Sequence, residues 1–114
     1  MKLPAKYIKI GYTKYKLQIW DKLTATSNEA YGEFFQREEA IGIAGDQSGS
    51  QLVNTLLHEI MHGIVYQYNL SFDGGKDTQE EALANVMTNG LMAVFVDNPW
   101  LLPWIQKEIK ADND

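Results

Sequence analysis

The chain contains no cysteine. That excludes disulfides, thiolate metal sites and cysteine nucleophiles, and it leaves the redox compartment open. Histidine is nearly absent too, with two residues in 114, so any imidazole chemistry must use one or both of them. No apolar run approaches the roughly 20 residues that a membrane span needs. The opening residues, Met1 to Lys6, carry no long apolar stretch and do not read as a secretory signal; the cytoplasm is the expected compartment. Positive charge is scarce overall. The net charge is −5, which makes a nucleic-acid backbone an unexpected partner. Six of the nine lysines are early (Lys2, Lys6, Lys9, Lys14, Lys16, Lys22), in a pattern that reads as the solvated face of N-terminal strands.

What remains is an ordinary globular composition. Hydrophobic residues make up 45% and charged residues 22%, and the length suits one domain spanning 1–114. In 7–20, Ile8, Ile10, Leu17 and Ile19 recur at period two between lysines, which predicts two strands joined by a tight turn near Gly11–Lys14. Residues 21–30 read as a loop. A second hairpin is expected from 31–36 and 40–45, turning at Arg37–Glu39, with Gly42 and Gly45 marking an edge or a close backbone approach. From about Ser50 to Asn69 the period becomes helical. Ser48 and Ser50 are the cap candidates, and Val53, Leu56, Leu57, Ile60, Ile64 and Tyr68 form one apolar arc. A loop over 70–79 turns at Asp73-Gly74-Gly75. A second helix over about 79–96 is expected to be capped by Asp77 or Thr78, with Leu83, Met87, Leu91 and Val94 as its stripe and Gly90 allowing close helix approach. A last helix starts near Pro99 and carries the apolar residues Trp100, Leu101, Leu102, Trp104, Ile105 and Ile109. The fold class is α+β.

Both histidines fall in one motif, His58-Glu59-Ile60-Met61-His62, on the first predicted helix. Residues four apart project from one helix face, so the two imidazoles can reach a single metal ion. Glu59 sits on a neighbouring line of the helix, where it can take a proton from a metal-activated water without being a ligand. The pair lies almost opposite the centre of the apolar arc, so a helix packed by that arc presents both rings outward. A catalytic zinc ordinarily has three protein ligands. With no cysteine and no third histidine, a carboxylate is the remaining choice, and Glu80 and Glu81 open the second helix. Periodicity aligns Glu80 with the apolar stripe, facing inward, and puts Glu81 at the edge of that stripe, in line with Asn85 and Thr88. Phase alone leans slightly to Glu80 and leaves both open. Tyr66 and Asn69 fall on the histidine face by phase, where either could line a cleft.

The run HEIMHGI followed by Glu81-Ala82-Leu83-Ala84-Asn85 resembles the HExxH and Glu-x-x-Ala-Asn helices of ImmA/IrrE-type metallopeptidases. Nearly the whole chain is similar to small phage- and prophage-encoded relatives of that group. The similarity runs through Tyr31-Gly32, Ile41-Gly42-Ile43, Thr55-Leu56-Leu57 before the motif, Thr88-Asn89-Gly90-Leu91 and Asp97-Asn98-Pro99. The resemblance implies a minimal zincin-like fold, with a small twisted sheet of three or four strands, the HExxH helix, a second, ligand-bearing helix and a short C-terminal helix. It implies one Zn2+ held by His58, His62 and Glu81, with Glu59 as general base, in a cytoplasmic metallopeptidase acting on a peptide or protein. Neither a nucleic acid nor a membrane is an expected partner. Val65 and Tyr68 stand where a metzincin would have glycine and its third histidine, so that branch is excluded. The chain has no counterpart of the DNA-binding domains of many ImmA/IrrE-type proteins, so repressor cleavage does not carry over. The alternatives are a weak or inactive zinc-binding interaction module, and a metal-free interaction protein using the Trp100–Trp104 end.

Overall fold

The computed structural model describes residues 1–21, 23–25, 30–70 and 76–113, with the side chains of 76–78 left aside. Four strands form one sheet: β1 (Tyr7–Ile10), β2 (Thr13–Trp20), β3 (Gly32–Phe35) and β4 (Ala40–Ala44). Three long helices follow, α1 (Gly49–Gln67), α2 (Lys76–Asp97) and α3 (Leu101–Asn113). The architecture is α+β, as the sequence pattern predicts. Both hairpins form where expected. Residues 23–25 make a helical turn inside the predicted first loop, and the Asp73-Gly74-Gly75 turn lies outside the described residues.

The strand order is β1-β2-β4-β3. β1 and β2 are antiparallel, as are β3 and β4, while β2 and β4 run parallel, pairing Leu17 with Ile41 and Ile19 with Ile43. β4 is therefore internal, and all five of its residues are buried. Gly42 does not mark an edge. The Trp20 indole from β2 lies over it, so that any Cβ would strike the ring. β3 is left at the edge.

One face of the sheet carries Ile8, Ile10, Tyr15, Leu17, Ile41 and Ile43, which meet Leu52, Val53, Leu56, Ile60 and Ile64 of α1 in one core. Burial of this many aliphatic side chains, each worth about 1.5–3 kcal/mol against exposure, fixes α1 on the sheet. One member of the predicted arc departs from it. Leu57 is half-buried and packs against the core, but Tyr68 is 41% exposed, because the helix ends at Gln67 and Asn69 turns left-handed just beyond it. Ser48 occupies the N-cap position of α1 without making a side-chain cap bond. The open N–H groups of Gly49 and Ser50 are met by Glu108 and Asp112 of α3 instead.

α2 crosses α1 at Gly90, where an added Cβ would come within 2.5 Å of Ile64 Cγ2. The expected close approach of the two helices is present there. α2 begins at Lys76, so Asp77 and Thr78 lie inside it and do not cap it. Its predicted stripe holds from Met87 onward, with Met87 and Leu91 packed against the core and Val94 fully buried, whereas Leu83 is 38% exposed. Asn98 ties the end of α2 to β1: its amide donates to Lys9 O and Val94 O, and its carbonyl accepts from Lys9 N. In α3, Leu101 and Trp104 join the core, with Trp100 and Ile105 packed against it. The tryptophan pair thus covers one end of the core. Among the described residues, no helix is long and apolar enough to cross a membrane.

Candidate metal centre

Three rows of α1 meet three environments. Leu56, Ile60 and Ile64 enter the core. Thr55, Glu59 and Gly63 face β3: a Cβ on Gly32 would meet Thr55 Cγ2 and Glu59 Oε2, and one on Gly63 would meet the Phe34 ring. His58 and His62 lie at the rim and are both exposed. Consecutive residues differ by about 100° around a helix, so His58 faces solvent while Glu59 turns toward the strand.

The two imidazoles converge. His58 Nε2 and His62 Nε2 are 3.2 Å apart, with ring centroids separated by 4.8 Å. Two nitrogens bound tetrahedrally at about 2.0–2.1 Å to one zinc ion would be separated by about 3.3–3.4 Å. The observed spacing therefore matches the bite of a shared ion. His58, Glu59 and His62 together offer ligand atoms that all lie within 4.8 Å of one another, so these three residues could hold a metal ion.

Glu59 is only 5% exposed. Burial raises its carboxyl above the usual range. The two adjacent imidazoles pull in the opposite direction, and nearby Glu33 pushes it further up. A carboxylate shifted toward neutrality is a better proton acceptor at physiological pH than an ordinary surface glutamate. The space for Glu59 comes from the strand. Gly32 has no side chain where the carboxylate lies.

A groove runs between α1 and β3. It comprises two depressions of about 220 and 260 Å³ that share Gly32, His58 and Glu59. Tyr31, Asn54 and Thr55 line the first, and Glu33, Phe34 and His62 the second. Neither depression is lined by a lysine or arginine among the described residues. Tyr66 stands at the rim with its ring 6.0 Å from Phe34, and Asn69 lies beyond the end of α1. Glu80 and Glu81 are both exposed on α2, outside the His58–Glu59–His62 group. The inward orientation expected for Glu80 is thus not seen: among the described residues nothing covers this part of α2, and 80, 81 and 83–85 are all exposed. Sequence reasoning missed β3 as the second wall. Its strand character was legible, but its place at the edge, beside the motif, is set by long-range pairing.

Comparison with known proteins finds no matching family model, no matching curated protein and no matching solved structure. The likeness to ImmA/IrrE-type proteins therefore rests on the motif residues alone, and the histidine–glutamate group is the part of it that the geometry carries.

Proposed function

We propose that this protein is a zinc-dependent metallopeptidase acting on extended peptides. The observation that carries the reading is the 3.2 Å approach of His58 Nε2 to His62 Nε2 with the shielded Glu59 carboxylate beside them. When bound, a divalent ion supplies a Lewis acid for a peptide carbonyl and an acidified water. The chain's own residues supply the rest. His58 and His62 hold the ion through Nε2. Glu59 accepts a proton from the attacking water and returns it to the leaving amine.

β3 supplies the substrate's track. Ala44 N donates to Tyr31 O, so the Tyr31–Ala44 pair, and by alternation Glu33–Gly42 and Phe35–Ala40, bond across β3 and β4. The N–H and C=O groups of Gly32 and Phe34 then turn to the open edge, beside the two histidines. An extended peptide can add there as a further strand.

The third protein ligand in this reading is Glu81, taken from the motif pattern. Completing the centre with it requires the first turns of α2 to close over the histidine face. A second reading, an inactive zinc-binding module, is favoured by the exposure of Glu80 and Glu81.

Metal content and peptide cleavage test both. The wild-type protein is expected to bind one equivalent of zinc and His58→Ala to lose it. Glu81→Gln should weaken the affinity and Glu80→Gln should not. Glu59→Gln should keep the metal and lose about 10²–10⁴-fold in cleavage rate. Cleavage by Glu59→Gln at the wild-type rate would refute the mechanism. Zinc binding with no cleavage of any peptide would select the second reading.

A further inference from the structure

We infer that Glu33 selects a basic side chain in the bound peptide. The inference rests on the reading of the α1–β3 groove as a peptide site and adds a preference to it. Along β3, Gly32 and Phe34 face α1, and Glu33 and Phe35 face the opposite side of the sheet. In a peptide added antiparallel to this edge, the residue opposite Glu33 also projects to that outer side. It stands in a non-hydrogen-bonded position of the new ladder, where facing side chains come closest.

Four features make that position a cation site. Glu33 is exposed and has no ion-pair partner among the described residues. Its cross-strand neighbour on β4 is Gly42, which offers no side chain. The space above Gly42 is taken by the Trp20 indole, packed edge-on to Phe35 with centroids 6.3 Å apart, so aromatic surface lies beside Glu33 on that face, while on the groove side it neighbours the like-charged Glu59, which offers it no ion pair. The groove itself is lined by no lysine or arginine among the described residues. A lysine or arginine opposite Glu33 gains a carboxylate partner, whereas an acid there meets like charge. The basic residue would lie next to the backbone that faces His58 and His62.

The test uses zinc-loaded protein and a set of fluorogenic peptides that differ only in carrying Lys, Gln or Glu at successive positions. Binding of the same peptides to the Glu59→Gln protein is followed in parallel by fluorescence anisotropy. Opposite-charge facing pairs are worth roughly 0.2–1 kcal/mol and like pairs cost a similar amount, so Lys should be preferred over Glu by roughly two- to thirtyfold at one position. The ratio should approach one in Glu33→Gln and invert in Glu33→Lys. Both variants change an exposed side chain and should fold, which circular dichroism checks. A Lys preference in wild type that persists in Glu33→Lys, or no preference at any position, overturns the inference. If peptides bind with the expected charge preference and are not cleaved, the inference stands and the hydrolase reading falls. If they neither bind nor are cleaved, both fall.

Discussion

Replacing Gly32 with alanine tests how closely α1 and β3 are fitted at the centre. The new methyl would lie 2.8 Å from Thr55 Cγ2, 3.0 Å from the Gly42 carbonyl oxygen and 3.2 Å from Glu59 Oε2. None of these neighbours moves freely. Thr55 is buried and its hydroxyl donates to Gln47 Oε1 at 2.5 Å, so rotating the methyl away breaks that bond. The Gly42 oxygen belongs to an internal strand. Two effects compete. Removing a glycine from a strand favours folding by roughly 0.5–1 kcal/mol. Overfilling a packed site costs typically about 1–3 kcal/mol. The second should win, giving a net loss of about 1 kcal/mol by urea unfolding, with Glu59 displaced by a few tenths of an ångström. Zinc content should stay near wild type, because His58 and His62 lie on the exposed rim, while any hydrolysis falls further than stability does. Thr55→Ser removes the offending methyl and keeps the hydroxyl. The Gly32→Ala/Thr55→Ser pair should therefore be less destabilised than the sum of the singles, with a coupling on the order of 0.5 kcal/mol or more. A Gly32→Ala protein as stable as wild type, or strictly additive singles, would refute the packing argument.

Two further outcomes follow from contacts between elements distant in sequence. Asn98→Ala removes three hydrogen bonds and strands the backbone groups of Lys9. At about 0.5–1.5 kcal/mol for each bond, a loss of about 2–4 kcal/mol is expected in denaturant unfolding, and less than about 1 would contradict the anchoring role. Asp112→Ala removes the carboxylate that accepts the Ser50 N–H at the start of α1. That bond holds the Asp112 carboxyl below the usual aspartate range in the folded chain. Its contribution is thus fully present above the unfolded aspartate range and is lost as pH falls through the depressed folded value. The variant should melt lower than wild type near neutrality, with the gap closing on strong acidification. A gap independent of pH would exclude a charge-based cap.

The elements were legible wherever one periodic face meets one partner. α1 satisfies that condition, and its apolar arc, histidine face and approximate limits all follow from phase. α2 does not. Phase correctly groups Glu80 with Leu83 and Met87, but periodicity states which residues share a face and not what the face meets. Glu80 and Leu83 share an exposed one, whereas Val94, a few turns on, is fully buried. The cap of α1 was hidden for a related reason. Ser48 has the right chemistry at the right place, yet the bonds come from Glu108 and Asp112, about 60 residues away. The strand order was equally out of reach. Two hairpins specify two antiparallel pairs, and only long-range packing decides that β2 and β4 join in parallel and leave β3 outside.

That strand order gives the position of the motif its meaning. The helix phase is tightly constrained. Moving the two histidines forward by two positions would place them where Ile60 and Ile64 stand, both fully buried, and no ion could be reached there. Moving them back by one would put them at Leu57 and Met61, which pack against the core. On the line through 58 and 62 the imidazoles stand at the rim while the following residue, 59, turns under them toward β3. The strand must answer this phase with a gap in its own side chains, and Gly32 supplies it. An internal strand in the same place would offer no free backbone groups, since both edges of its ladder are consumed. A shielded carboxylate, two converging imidazoles and an unpaired strand edge thus depend on one another's placement. A chance occurrence of the five-residue motif would have to meet all three conditions at once.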